Sequence, residues 1–453
     1  MRGLFIFRRD LRYQDNIGLF NACKECDEVY AIFILDENQI NKNKNEYFSQ
    51  NAFDFMIESL IELKKTIPLH IYKGLPHEII PKLCNNIDRI YYNEDYSPYS
   101  IKRDKLIEEA IIKHNNKANS KSHDKLHDKA NSKKNDKIDS KNNIIEIKKF
   151  TDIPINSPHD IKPYKKFTPY YKVASEISIK PLVKPDITNL YYFNFEVVKE
   201  HKLEKPKKND ILRQEGGRKN GEVLLANVKK IDYANTRDYM NISTTRLSPY
   251  LKFGVIGIRE LARICIKEDN EALLREIYWR DFYIQIGFHF PHVFGSNFRG
   301  DPKWKFNKKL FDAWCEGKTG IPIVDAGMRQ LNTTGYMHNR CRMIVSNVLT
   351  RLFHINWTYG ELYFASKLTD YDPFSNNGGW QWSAGTGADA QPYYRIFNPY
   401  TQAKKFDPEC LYIKKYVEEL RDLEPKEIFK IESKLFDYEK ERKLALEEFS
   451  SGY

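Results

Sequence analysis

Leu4-Phe5-Ile6-Phe7-Arg8-Arg9-Asp10-Leu11-Arg12, close to the start of the chain, decides how the first third is read. Four apolar residues in a row, without polar alternation, suit a short strand buried on both faces, and a charged turn follows it. Further β-rich runs at 29–35, 69–72, 89–92 and 144–147 are predicted strands. The connections are too long for hairpins, and one carries Ala52, Phe53, Met56, Leu60, Ile61 and Leu63 as an apolar helical stripe. Parallel strands joined by crossover helices are expected, which is an α/β domain with a doubly wound parallel sheet. Its first turn, Arg8 to Arg12, has no glycine fingerprint, so a standard dinucleotide site is not expected there.

The pattern breaks at 114–143, where no aromatic residue occurs and Lys-Ala-Asn-Ser-Lys stands at both 117–121 and 129–133. Lysines recur at every fourth position from Lys117 to Lys141, which opposes a helix by stacking like charges, so the segment reads as a disordered low-complexity insert. His123 and His127 inside it are solvated repeat residues rather than metal ligands. From 154 to 206 the chain is rich in Pro, Lys and Tyr, including Phe167-Thr168-Pro169-Tyr170, and reads as an interdomain linker. Beyond it Cys341, Ile344, Val345, Val348, Leu349 and Leu352 form one helical face, and 435–449 is again helix-like. The predicted organisation is an α/β domain at 1–153, a linker at 154–206 and a larger all-α domain at 207–453.

With 453 residues and 27 Phe, 29 Tyr and 6 Trp, the chain is neither a small module nor disordered. No apolar run approaches a bilayer span and no signal-peptide core follows Met1, so a soluble intracellular protein is expected, in cytoplasm or nucleus; it is also expected to be a monomer. The formal charge is +11, of which eight Lys and four Asp in the insert supply +4. The remaining +7 still favours a polyanionic partner. Seven scattered Cys suit a reducing compartment, and the lone Cys23-Lys24-Glu25-Cys26 reads as helix surface, with no metal expected.

All six Trp lie between 279 and 382. Clustered indoles serve as core, or as a relay that passes electrons between solvent and a buried redox cofactor. Asp370-Tyr371-Asp372-Pro373-Phe374-Ser375-Asn376-Asn377-Gly378-Gly379-Trp380-Gln381-Trp382 mixes acids and amides able to meet a ribose or ring nitrogen with glycines that admit a flat ligand. Thr244-Thr245-Arg246-Leu247-Ser248 precedes a helical pattern, where hydroxyls and free N–H groups can hold phosphate. Gly385-Thr386-Gly387-Ala388-Asp389-Ala390 fits GxGxxA, but no strand precedes it and it is discounted.

These residues resemble class I cyclobutane pyrimidine dimer DNA photolyases of the photolyase and cryptochrome superfamily. The resemblance rests on residues 245–254, on Glu276-Ile277-Tyr278-Trp279-Arg280-Asp281-Phe282-Tyr283, on Gly335-Tyr336-Met337-His338-Asn339-Arg340-Cys341-Arg342-Met343 and on 376–398. It covers nearly the whole chain outside the insert. It implies an antenna-type N-terminal domain, a helical FAD-binding domain, and light-driven electron transfer from reduced FAD to a dimer flipped out of UV-damaged DNA, a carbon–carbon lyase activity. It assigns Tyr233, Thr244, Thr245, Arg246, Leu247, Ser248, Arg342, Asp370, Tyr371, Asp372 and Asn376 to FAD, Asn376 facing the flavin N5. Trp304, Trp357 and Trp380 match the photoreduction relay, which leaves Trp314 and Trp382 outside it. The resemblance also implies that Glu276, hydrogen-bonding the damaged base, and Asn376 are the catalytic residues. Trp279, Asn339, Met343 and Trp382 line the lesion pocket, and Arg280, Arg340, Arg395, Gln402 and Lys405 are strand contacts. A second, antenna chromophore of folate, deazaflavin or flavin type is implied without its identity.

Two rivals share the fold. Plant-type cryptochromes place Asp where Asn376 stands, and photolyases for (6-4) photoproducts carry a His pair in the region where this chain has His338 beside Asn339. A light-independent basic nucleic-acid binder explains the charge but not the flavin motifs.

Overall fold

The structure is a computed structural model that describes residues 1–129, 144–193, 195, 197–207, 213–390, 392 and 395–450. Five parallel strands, β1 Arg2–Phe7, β2 Glu28–Asp36, β3 Leu69–Gly74, β4 Arg89–Asn93 and β5 Glu146–Phe150, pair in the order β3-β2-β1-β4-β5. Helices α1 Ile17–Glu25, α2 Gln50–Thr66, α3 Pro76–Leu83 and α4 Pro98–Lys129 make the crossovers. Both faces are covered, as the unalternating strands require: Phe5, Phe7, Phe33 and Ile71 fill one core, while Leu4, Ile6, Ile32 and Ile90 fill another.

The last strand lies later than the expected 144–147. Asn115 holds Ile145 short of the sheet, donating to its carbonyl at 3.2 Å and accepting from its N–H at 3.1 Å. β5 is an edge strand, and its Lys148 and Lys149 pair with Glu25 and Glu108, so a charged run disguises it. The insert is also corrected: α4 continues to Lys129 through lysines that oppose helix in isolation. Elongating a helix already nucleated by packing is far easier than starting one. Residues 130–143 lie outside the described residues. Because Asn115 is structural, the dispensable segment begins after Lys117. Replacing 118–143 with a short Gly/Ser linker is expected to leave soluble yield, flavin content and DNA repair unchanged; loss of soluble protein would contradict this.

Cys23 and Cys26 do not sit on a helix surface. Both are buried, and Cys26 Sγ lies 3.4 Å from the Tyr91 hydroxyl. Burial pushes the Cys23 thiol up to about 12, which leaves it unreactive.

The 154–206 stretch is a packed strap. Its helix α5 Phe167–Ala174 lies on α6 Glu271–His289, and further on Tyr191 N–H donates to Val29 O at 3.0 Å while Phe193 packs on Tyr30. The C-terminal half is helical, with α7 Lys308–Glu316, α8 Pro322–Thr334, α9 Asn339–Asn347, α10 Trp357–Lys367, α11 Pro373–Ala384 and α12 Tyr438–Ser450 among its elements. The predicted apolar face from Cys341 to Leu352 is buried throughout, but its backbone changes at Val348–Leu352 to a π-helical turn, in which Phe353 N–H bonds Val348 O at 2.9 Å. Among the described residues no helix is long and apolar enough to cross a membrane.

One sheet face and the helical region share a single core, in which Phe5 and Phe33 join Leu247, Tyr250, Phe253 and Phe282. Gly254, at φ +60°, lets the backbone approach the first turn; a Cβ there would stand 2.2 Å from Arg9 O. Beside it Arg12 and Arg259 both bind Asp152, at 2.8 and 2.9 Å, and Arg259 also binds Asp15 at 3.0 Å.

Candidate functional site

The short helix Ser248–Lys252, α9 and the segment entering α11 converge on Asp370. Its carboxylate accepts Ser248 Oγ–H at 2.6 Å and Arg342 Nη2–H at 2.8 Å, and Arg342 Nε–H is fixed on Met337 O at 2.8 Å. Around it the Thr244 hydroxyl lies 3.4 Å from that of Tyr336, and the Arg246 guanidinium rests 4.3 Å over the Tyr336 ring. Arg246 has the left-handed φ of +55°, which keeps the Thr245 to Ser248 turn out of a regular helix, and within it Leu247 N–H donates to Thr245 Oγ1 at 3.4 Å. Leu247 is 1% exposed within the core, and its carbonyl accepts Leu251 N–H at 3.0 Å, so its side chain does not face a ligand.

Five predicted ligands, Thr244, Arg246, Ser248, Arg342 and Asp370, gather here, and α9, which carries Arg342, packs on α11, which carries Asn376 and Gly379 one turn apart. Asn376 Nδ2–H donates to Glu361 O at 3.1 Å, which orients the amide. A Cβ built on Gly379 meets nothing within 4 Å, although its neighbour Trp380 is only 2% exposed. A ring system can lie against that helix face. Hydroxyls, a guanidinium–carboxylate pair, an amide and an open glycine surface together fit a flavin dinucleotide.

The other two acidic-run residues turn elsewhere, because the chain passes through a turn at 369–370 and has no repeating side-chain direction before α11 begins. Asp372 caps α11, accepting from Phe374 and Ser375 N–H at 3.1 and 3.0 Å, and it pairs with Arg9 of the sheet domain. Tyr371 stacks on Tyr47 at 6.0 Å and faces a cavity beyond the carboxyl ends of the strands. Neither side chain is left to hold FAD as expected.

Glu276 and Trp279 project from α6 next to this wall. Glu276 is ion-paired with Arg237; burial pushes its carboxyl above the usual range, and Arg237 opposes the shift. Trp279 is half-buried, with Phe167 of the strap parallel to it at 3.8 Å, so one indole face is already covered. Asn339 and Met343 lie one turn apart on α9, the amide 3.8 Å from the sulfur. Trp382 is half-buried one turn beyond Gly379.

Arg280 is corrected. It points inward, donating to Ile153 O at 2.9 Å with 13% of its side chain exposed, so it braces the domains rather than contacting a strand. Arg340 is tied to Asp238 at 2.6 Å and lies over Phe406, and Gln402 is half-buried. Arg395 and Lys405 are exposed.

Relay candidates become more open outward: Trp380 and Trp357 are buried, Trp304 is half-buried. Trp380 packs on Phe364 at 4.9 Å and so tightly against Gly360 that a Cβ there would sit 2.1 Å from its ring. Gly360 lies one turn from Trp357, whose Nε1–H donates to Asn297 Oδ1 at 2.8 Å. Sequence reasoning gave no role to Phe167, Arg237, Tyr336 and Glu361; Phe167 stands in an aromatic-dense stretch and Tyr336 inside the 335–343 motif, while nothing signalled the other two.

Two family models match the chain: DNA photolyase over residues 4–186 and the FAD binding domain of DNA photolyase over 273–450. The deoxyribodipyrimidine photo-lyase of Halobacterium salinarum is 32% identical, over 93% of this chain and 90% of that protein. That of Synechococcus is 33% identical, over 94% of this chain and 89% of that protein. Among solved structures, an archaeal photolyase from Sulfolobus tokodaii, described with two FAD molecules and a novel light-harvesting cofactor, aligns with TM-score 0.85 and 36% identity over 100% of both chains. The fold and site therefore define an FAD-dependent enzyme of light-driven DNA repair. The chain belongs to the DNA photolyase family.

Proposed function

We propose that the chain repairs cyclobutane pyrimidine dimers in DNA and leaves (6-4) photoproducts untouched. The observation carrying this reading is the pocket wall on α9. Reverting a (6-4) product requires proton transfer between the bases, and Asn339 and Met343, facing each other at 3.8 Å, supply no acid or base. His338 is turned away, 3% exposed and accepting Arg340 N–H at 3.2 Å as a helix cap, and burial pushes its ring down to about 4. Opening a cyclobutane ring needs only an electron and stabilisation of the resulting anion. When bound, reduced FAD supplies that electron on excitation. Arg342, Asp370 and Ser248 hold the cofactor's site, Trp279, Met343 and Trp382 give the dimer apolar walls, and Arg395 and Lys405 hold phosphate.

Glu276 stabilises the anion by donating a hydrogen bond once it carries a proton in place of its ion pair with Arg237. Its raised pKa keeps the proton on at higher pH than an ordinary Glu, and the bond is lost as pH rises through that value. Illuminating DNA that carries one defined lesion of each type is expected to return intact pyrimidines from the cyclobutane substrate only. Glu276→Ala weakens repair more than DNA binding, and Glu276→Gln, a permanent donor, flattens the fall of repair yield with rising pH. Repair confined to the (6-4) lesion, or identical pH profiles for parent and Gln variant, would refute the reading.

A flavin-type antenna is the second element proposed. A cavity of about 610 Å³ opens beyond the carboxyl ends of β1, β2 and β4, where the strand order reverses, lined by Phe33, Phe48, Asp95, Arg103 and Lys252. Burial and the Arg9 charge push Lys252 down to about 7, so an anionic group would be welcome beside it. The two FAD molecules of the Sulfolobus photolyase favour a flavin over folate. Cofactor released by mild denaturation is expected to contain two flavins per chain; folate in place of the second would overturn this.

A further inference from the structure

Trp314, which the relay motif leaves unassigned, lies against the innermost relay residue. Its ring centroid is 5.9 Å from that of Trp380, edge to face, and it is 0% exposed. Its Nε1–H donates to Val345 O at 3.0 Å, and a carbonyl dipole aimed at the indole stabilises positive charge there. From Trp314 an aromatic ladder continues outward: Phe311 stacks on it at 6.2 Å, and Tyr359 meets Phe311 at 5.7 Å and stacks with Phe306 at 4.7 Å. Tyr359 is 43% exposed. A different branch leads from Trp314 to Tyr363 at 5.7 Å, but the Lys367 ammonium lies 5.4 Å above that ring, and among the described residues the Tyr363 hydroxyl has as acceptors the Cys315 carbonyl and the Asn332 amide oxygen. Neither acceptor is a base, so Tyr363 has nowhere to send its proton and a cation beside it.

We propose that Trp314 and Tyr359 form a second electron entry to Trp380, parallel to Trp357 and Trp304. The proposal rests on the reading of Trp380 as the donor to FAD. Trp380 gives one electron to photoexcited oxidised FAD, Trp314 refills Trp380, and Tyr359 refills Trp314. On oxidation Tyr359 releases its phenolic proton to water, leaving a neutral tyrosyl radical. A thiol-class reductant in solution then returns one electron, and water one proton, restoring the phenol. Phe311 conducts no charge itself; it fills the gap between the two oxidisable rings with contacting atoms, which keeps electronic coupling high where a void or water would weaken it.

The test uses the flavin-loaded full chain with oxidised flavin, flash excitation, and electron paramagnetic resonance of samples frozen under light, alongside photoreduction rates. Trp304→Phe is expected to retain photoreduction within about tenfold of the parent and to show a tyrosyl signal that collapses on tyrosine ring deuteration, whereas Trp304→Phe with Trp314→Phe falls at least about tenfold further, the excess over additivity that parallel routes produce. Tyr359→Phe in the Trp304→Phe background removes the tyrosyl signal without disturbing the core, and decides the matter should Trp314→Phe fail to fold. Loss of all photoreduction in Trp304→Phe with flavin retained, or a tyrosyl signal surviving Tyr359→Phe, would overturn the second entry. Photoreduction persisting in Trp380→Phe would instead remove the reading of Trp380 on which it rests.

Discussion

Trp380→Phe is expected to slow light-driven reduction of oxidised flavin at least about tenfold, a barrier increase of about 1.4 kcal/mol or more, while repair proceeds when the flavin is reduced chemically beforehand. The reason is position. Trp380 stands one helical turn from Asn376 on α11, is 2% exposed, and is the indole on which both Trp314 and the Gly360 end of α10 converge. Any electron arriving from the surface by either route passes through it, so its loss cannot be offset by the residues behind it. Phenylalanine keeps most of the packing against Phe364 but is far harder to oxidise. Absorbance of the flavin under continuous light, with and without prior dithionite, checks both halves. A variant that photoreduces at the parent rate would contradict the assignment.

Asp152→Ala is expected to destabilise the fold by about 3–5 kcal/mol, because it leaves two buried guanidiniums without their shared carboxylate. Asp152 is 2% exposed, and Arg12 and Arg259 each reach it within 2.9 Å. Arg12 belongs to the first turn after β1, whereas Arg259 lies in the helix Ile258–Lys267 of the C-terminal half, so one carboxylate ties the two regions. Burial alone would raise the Asp152 pKa, but the two guanidiniums override it and hold the carboxyl below the usual carboxylate range. A depressed folded-state value means that this stabilisation is fully present above the ordinary Asp pKa and is lost as pH falls through the folded value. Urea denaturation at neutral pH should show a lowered midpoint for the variant, and acidification should narrow the difference from the parent. An unchanged midpoint at neutral pH would show that the ion cluster contributes nothing net.

Much of the function was legible from residue identity alone. The absence of a polar period in 4–7 and 29–35 required strands covered on both sides, and long helical connections then left little besides a doubly wound sheet. Asn339 and Met343 exclude a proton-transferring pair by their chemistry, wherever they point. The tryptophan cluster likewise announced redox use or an indole core before any packing was known.

Direction was not legible where the backbone has no repeat. Asp370, Tyr371 and Asp372 are adjacent and form one ligand set by motif, yet they face Arg342, Tyr47 and Arg9 respectively. Arg280 lies inside a motif otherwise associated with the lesion, and its helix position turns it inward onto Ile153. Local sequence specifies periodicity, and periodicity determines which residues of one element share a face. It does not state which distant face arrives opposite. Phe167 on Trp279, Trp314 on Trp380 and the shared Asp152 of Arg12 and Arg259 are all pairings of that second kind, made between segments far apart in the chain. Only the tertiary structure decided them, because the burial that brings such surfaces together is non-directional and is satisfied by shape and volume rather than by any local code.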